Sequence, residues 1–280
     1  VACSSWPPWW VWIDGQVALA ERTFRLTVEY DGSAYSGFQR QGGEGLKPSI
    51  QATLEEALAR LVNHPVSVLV AGRTDAGVHA TGQVLSFRTT ADRSSRAVLR
   101  GANALLPPDI RVLEAVEAGV GFHPRFLACS RTYEYLIRSG REGDAFWRRR
   151  AWILPGELEV SAMQRAGRSL LGAHDFSTYC SQVPPGECRV RALMDCQVES
   201  WKGPLPGPLG RLDGMVVVRV RANAFLRRMV RMLTAALVEV GRGRWTEGEP
   251  RQRLDARDSG LSPPPAPPWG LYLVRVDYPG

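Results

Sequence analysis

Asp75 and Arg73 stand two residues apart in the run AGRTDAGVHA, residues 71–80, between Gly72 and Gly77. The glycines allow a left-handed backbone or a close backbone approach, so the run reads as a hinged turn. Active-site groups gather on such loops when the scaffold beneath them is rigid. A carboxylate here could act at an anomeric carbon. In glycoside hydrolysis it would need a second carboxylate across the bond, for which Asp31 or Glu29 could serve. A tight turn carrying an exposed ion pair and no chemistry fits these ten residues equally well. His79 has no nucleophile near it in the sequence and reads as structural.

Three further stretches carry residue types that suit RNA. In EYDGSAYSGFQRQ, residues 29–41, Tyr30, Tyr35 and Phe38 are interleaved with Gln39, Arg40 and Gln41. Bases stack on aromatic rings and phosphates attract arginine. The same stretch also reads as a strand end followed by a surface loop. In RTYEYLIRSGR, residues 131–141, Tyr133 could stack on a base or pack as a cross-strand aromatic. In RANAFLRRMVRMLTAALVEVG, residues 221–241, Leu226, Val230, Leu233, Leu237 and Val240 form one apolar stripe. Arg227, Arg228 and Arg231 lie near its start, with Arg227 and Arg231 on one helical face. An arginine buried among Met229, Val230 and Met232 needs a carboxylate partner, because an unpaired buried charge is too costly.

The elements that must position these residues follow from hydrophobic period. Phe24, Leu26, Val28 and Tyr30 alternate with polar residues, which predicts a strand over 23–30. Ser49 caps a predicted helix with Ile50, Leu54, Leu58, Leu61 and Val62 on one face. Strands are predicted over 66–71, 83–89 and 110–116, and a helix over 96–105 stopped by Pro107 and Pro108. This is the strand–helix–strand–strand–helix–strand order of a ferredoxin-like unit. The second half repeats the outline. Strands are predicted over 132–138, 190–201, 215–222 and 271–278. Ser161 caps one predicted helix, with Gln164 completing a capping box and Gly172 at its end. Another covers 225–240. KGPLPGPLGRLDG reads as a variable hairpin and SPPPAPP as an extended linker.

Composition bounds the function. The 280 residues are 44% apolar and 22% charged, which excludes a disordered chain. Mean hydropathy of −0.17 speaks against a membrane protein. A net charge of +7 and a pI near 9.5 predict attraction to polyanions, nucleic acid first. The five cysteines, Cys3, Cys129, Cys180, Cys188 and Cys196, include no CxxC pair. Neither a disulfide framework nor a zinc ribbon is expected, although Cys180, Cys188 and Cys196 are evenly spaced near His174. Residues 1–21 are apolar and tryptophan-rich, with no basic leader, and are expected to lie outside the core as an extension. The expected organisation is then an α+β domain over 22–126 and a second over 127–280, in the cytoplasm.

EYDGSAYSGFQRQ, SIQATLEEAL, AGRTDAGVHATGQV, LLPPDI, FHPRFLACSRTYEY, LLGAHDFSTY, ANAFLRRMVR and GLYLVRVDYP occur in this order from about Thr23 to Pro279. Together they resemble the TruA family of tRNA pseudouridine synthases. FHPRF has proline where that family often has alanine, and GFQRQ has phenylalanine where tryptophan is common. The resemblance implies an α+β fold of two ferredoxin-like halves whose sheets join across a central cleft. It implies Asp75 as the catalytic carboxylate, Arg231 as its partner, Tyr133 as the residue that stacks on the target base and Arg73 as the residue that flips it out. Gln39, Arg40, Arg227 and Arg228 are expected to contact RNA. The implied substrate is uridine at positions 38–40 of the tRNA anticodon stem-loop. The implied working unit is a homodimer needing no cofactor and no metal. A non-catalytic RNA-binding member and a glycoside hydrolase remain as alternatives.

Overall fold

The alternation over residues 24–30 becomes the strand beside one edge of a ten-stranded sheet in the computed structural model. The structure describes residues 21–41, 47–119, 121–140, 143–182, 186–201 and 214–279, with the backbone of 10–13 and 16–19. Strands β1 (Trp10–Ile13) and β2 (Gln16–Leu19) form a separate antiparallel hairpin. In β3 (Arg22–Tyr30), Phe24, Leu26, Val28 and Tyr30 are buried and the residues between them are half-buried. Helix α1 (Ile50–Val62) covers that apolar face with Ile50, Leu54, Leu58 and Val62, and the Ser49 hydroxyl accepts from Ala52 N–H. Strands β4 (Val68–Val70), β5 (His79–Thr89) and β6 (Ile110–Ala118) follow, with α2 (Ser95–Leu105) between the last two. In space β6, β3 and β5 lie side by side, and β4 pairs with the far end of β5.

The second half consists of β7 (Ser130–Ser139), β8 (Trp152–Leu154), α3 (Val160–Ser169), β9 (Gly172–Asp175), β10 (Val190–Ser200), β11 (Met215–Ala222), α4 (Met229–Gly241), α5 (Glu249–Ala256) and β12 (Leu271–Asp277). Its spatial order is β12-β7-β11-β10, which repeats the pattern β6-β3-β5-β4 of the first half. The two patterns meet where β12 runs parallel to β5, over Tyr272 opposite His79 and Leu273 opposite Ala80. A parallel pair this short leaves the ends of both strands open to loops, and the turn carrying Asp75 enters there.

Several expectations are corrected. The cap of α3 is Glu159, whose carboxylate accepts from Ser161 N–H. Gln164 instead spans to β10, donating to Cys196 O and accepting from Val198 N–H, so no capping box forms. Gly172 opens β9 at φ +110° rather than ending the helix. α4 starts at Met229, because Arg228 adopts φ +60° and breaks the predicted helix. Arg227 therefore precedes the helix and shares no face with Arg231. β8, β9 and α5 were too short to carry a periodic signal. The expected hairpin over 202–213 lies outside the described residues.

Candidate active site

The turn after β4 is held from below by the EYDGSAYSGFQRQ stretch. Ala71 N–H donates to Val84 O at 2.9 Å, which closes its entry onto β5. Gln83 Nε2 donates to Gly72 O at 2.7 Å and Phe38 N–H to Thr74 O at 3.0 Å. The Thr74 and Tyr30 hydroxyls share a buried bond of 2.8 Å. Burial drives the Tyr30 hydroxyl up to about 12, against hydrogen bonds from Thr74 and Gln83. Gly37, at φ +110°, lies directly under the aspartate: a Cβ there would come within 3.0 Å of Thr74 O and 3.1 Å of Ala76 N. Tyr30, Tyr35 and Phe38 are thus buried supports of the turn and not the exposed RNA-stacking rings that their interleaving suggested.

Asp75 sits at the middle of this turn, with its side chain 30% exposed. Its Oδ2 accepts from Arg231 Nη1 at 3.0 Å, across 156 residues of sequence. The arginine is 11% exposed and does not grip the carboxylate with both arms of its fork. Its Nε donates instead to Ala266 O at 2.6 Å, while Ala266 N–H donates to Arg231 O at 3.1 Å. The proline-rich segment read as a linker is therefore the brace that fixes the arginine. Pro267 O accepts from the Tyr135 hydroxyl at 2.7 Å, and Pro268 packs against Gly77. Among the described residues Asp75 Oδ1 has no protein partner, so one carboxylate oxygen is anchored and the other is free.

Tyr133, on β7, approaches the same turn from the second half of the sheet. It is 8% exposed, and a Cβ on Gly72 would lie 3.6 Å from its hydroxyl. Its ring meets Phe225 edge-on at 5.1 Å. Burial, with smaller repulsion from Tyr30 and Asp75, raises its pKa, so the phenol is neutral at physiological pH. Arg73 is exposed on the turn and makes no ion pair among the described residues, Asp75 included. The four principal residues expected from the resemblance thus lie on or against one turn.

The remaining expected contacts differ in their engagement. Gln39 is exposed beside Phe38. Arg40 is largely exposed but donates to the buried Glu55 at 2.9 Å. Arg227 is exposed and bonds to Gln182, while Arg228 is half-buried with its Nε unpartnered among the described residues. His79 is structural, as its sequence context suggests. Its Nδ1 accepts from Gly32 N–H at 3.2 Å, and its Nε2 lies 3.1 Å from both Arg149 O and Trp269 O. Its ring stacks on Tyr272 at 4.7 Å, and burial lowers its pKa against the pull of Asp31.

Sequence reasoning overlooked Arg131. It is 7% exposed and has no carboxylate partner among the described residues. Four backbone carbonyls satisfy it instead: Ala128 at 3.2 Å and Asn223 at 2.6 Å from Nη1, Ala71 at 3.0 Å and Arg125 at 2.6 Å from Nη2. One guanidinium thereby joins the entry of the Asp75 turn, the loop before β7 and the segment leading to Arg231. The rule that a buried arginine requires a carboxylate hid it, because oriented carbonyl dipoles serve the same end. Nothing local in the sequence marks which carbonyls will converge.

The structure is an α+β sheet of two like halves, with an arginine-held carboxylate on a braced turn beside a buried tyrosine. The family model described as tRNA pseudouridine synthase matches residues 26–126 and 166–279. A tRNA pseudouridine synthase A of Aeromonas hydrophila is 43% identical over 91% of this chain and 89% of its own. Those of Vibrio cholerae and Geobacter sulfurreducens are 42% and 40% identical, over 91% and 92% of this chain and 91% and 100% of theirs. The chain belongs to the tRNA pseudouridine synthase family and is an isomerase. Glycoside hydrolysis is thereby set aside. Among solved structures, a chain of a Cbf5–Nop10–Gar1 complex overlaps it with a TM-score of 0.29 at 12% identity, over 76% of this chain and 54% of that one, too slight a likeness to carry an argument.

Proposed function

We propose that this chain converts uridine to pseudouridine in the anticodon stem-loop of tRNA, with Asp75 as the reacting carboxylate. The observation that carries the reading is the divided aspartate: Oδ2 is pinned by Arg231 at 3.0 Å and Oδ1 is free on a half-open turn. The reaction breaks the N1–C1′ bond, turns the uracil and forms a C5–C1′ bond. The proton leaves C5 and N1 gains one, so no electrons are exchanged with a cofactor. A stacked base cannot turn, and extrusion costs a few kcal/mol. Arg73, exposed on the turn, takes the vacated place and holds phosphate. Tyr133 supplies a neutral π face along which the uracil is held. Arg231 holds Oδ2 and aims the carboxylate, as a guanidinium does for a planar acceptor. Gln39, Arg40, Arg227 and Arg228 add positive or polar surface for the RNA.

On the family resemblance, the working unit is a homodimer in the cytoplasm, with one domain over 22–126 and the other over 127–280. Among the described residues no helix is long and apolar enough to cross a membrane. The test uses tRNA carrying tritium at uridine C5. The wild-type protein releases the label, and Asp75→Asn binds the same tRNA but releases none. Near-normal release by Asp75→Asn overturns the assignment. Absence of release by the wild type returns the chain to passive RNA binding.

A further inference from the structure

We propose that Phe126, with Arg125, forms a base-stacking site beside the catalytic turn for an unpaired nucleotide flanking the target uridine. The proposal rests on the reading of this chain as a tRNA-modifying enzyme. Phe126 lies in the loop between β6 and β7 and is 75% exposed. That exposure does not come from a loose backbone. His123 Nδ1 accepts from the N–H groups of both Arg125 and Phe126, at 3.2 and 3.4 Å. Leu127 N–H donates to His123 O at 3.1 Å, and Pro124 O accepts from the Tyr278 hydroxyl at 2.8 Å. The backbone beneath the exposed ring is held in one place.

The ring is also pre-assembled for stacking. Its centroid lies 4.3 Å from that of the tilted His123 ring and 5.7 Å from the Arg125 guanidinium. Arg125 has no carboxylate partner among the described residues, so its charge is unspent. An aromatic face bordered by a free guanidinium fits a base and its phosphate, since bases stack on rings and arginine adds a cation–π and a phosphate contact. An apolar protein surface would have to bury that charge unpaired.

Position ties the ring to the reaction. Arg131 Nη2 bonds both Arg125 O and Ala71 O, so the residue before Phe126 and the first residue of the Asp75 turn hang from one nitrogen. A uridine extruded onto Asp75 leaves its neighbour unstacked at that point. Phe126 offers the neighbour a replacement face.

The test compares Phe126→Ala and Phe126→Trp with wild type, using intact tRNA and anticodon stem-loops carrying a single abasic nucleotide at each position flanking the target. Phe126→Ala should lower kcat/KM by roughly 5- to 150-fold, the range for one base stacked on one ring. Phe126→Trp should restore most of it. For one abasic position, removing the base from the RNA and the ring from the protein should be no worse than either alone. Additive losses at every position overturn the proposal, as does unchanged kcat/KM in Phe126→Ala. A change of sedimentation state in Phe126→Ala also overturns it, in favour of a contact between copies of the chain. Failure of the wider reading is distinguishable, because wild type would then release no label from any substrate.

Discussion

Replacing Gly37 by alanine should disturb Asp75 without touching the RNA. Gly37 has φ +110°, a region that costs a side chain about 1–3 kcal/mol. For a chain of this size that corresponds to a fall in Tm of roughly 2–12 °C. The added methyl would also sit 3.0 Å from Thr74 O, 3.1 Å from Ala76 N and 3.2 Å from the Asp75 carbonyl carbon. These are backbone atoms and cannot rotate away. The turn must lift by a few tenths of an ångström, which strains the Phe38 N–H bond to Thr74 O and the reach of Arg231 to Asp75. A misplacement of about 1 Å can cost 100-fold, so this smaller one should lower the chemical step roughly 10-fold. The assay is single-turnover tritium release with enzyme in excess, well below the Tm of every variant. Gly156→Ala is the control: it also has positive φ, +75°, but its methyl meets nothing within 4 Å. It should lose stability and keep its rate. Equal rates in the two variants would refute the claim that the Gly37 contact positions the aspartate.

Arg231→Lys should lower kcat roughly 100-fold with tRNA affinity nearly unchanged, because one ammonium cannot reach both Asp75 Oδ2 and Ala266 O as the guanidinium does; parallel losses in filter binding and turnover would count against it. Tyr133→Leu should lose more activity than Tyr133→Phe, since the proposed role belongs to the ring; an inactive Phe variant beside an active Leu variant would contradict it. Burial holds the His79 imidazole below its ordinary value of 6.5, so the unfolded chain binds that proton more readily. Its stabilising effect is complete above about pH 6.5 and is lost as pH falls through that value toward the lower folded one. Denaturant titrations from about pH 7 to 5.5 should show a shallower loss of stability in His79→Asn, which cannot titrate, than in wild type; identical slopes would refute the assignment.

Much of this arrangement is legible in the sequence because it is local. Alternation at Phe24, Leu26, Val28 and Tyr30 and the stripe at Ile50, Leu54 and Leu58 report which face of an element is buried, and they hold in the structure. The order of those elements already implies the ferredoxin-like halves. Local rules mislead where one residue departs from them. Arg228 in a left-handed conformation erases the expected face shared by Arg227 and Arg231. Glu159 takes the cap expected of Ser161, whose hydroxyl donates to it at 2.6 Å, and Gln164 bonds to β10 instead.

The turn bearing Asp75 shows the division most clearly. The sequence alone determined that Arg73 and Asp75 share a glycine-hinged turn at a strand end, and the order of motifs determined the family resemblance. Only the tertiary structure decided that the two do not pair with each other. Arg231, 156 residues away, takes Asp75, the proline-rich segment braces Arg231, and Arg131 ties its own loop to carbonyls 60 and 92 residues away. Such pairings arise when β12 is laid between β5 and β7. That insertion joins segments from opposite ends of the chain, and no short-range periodicity encodes it.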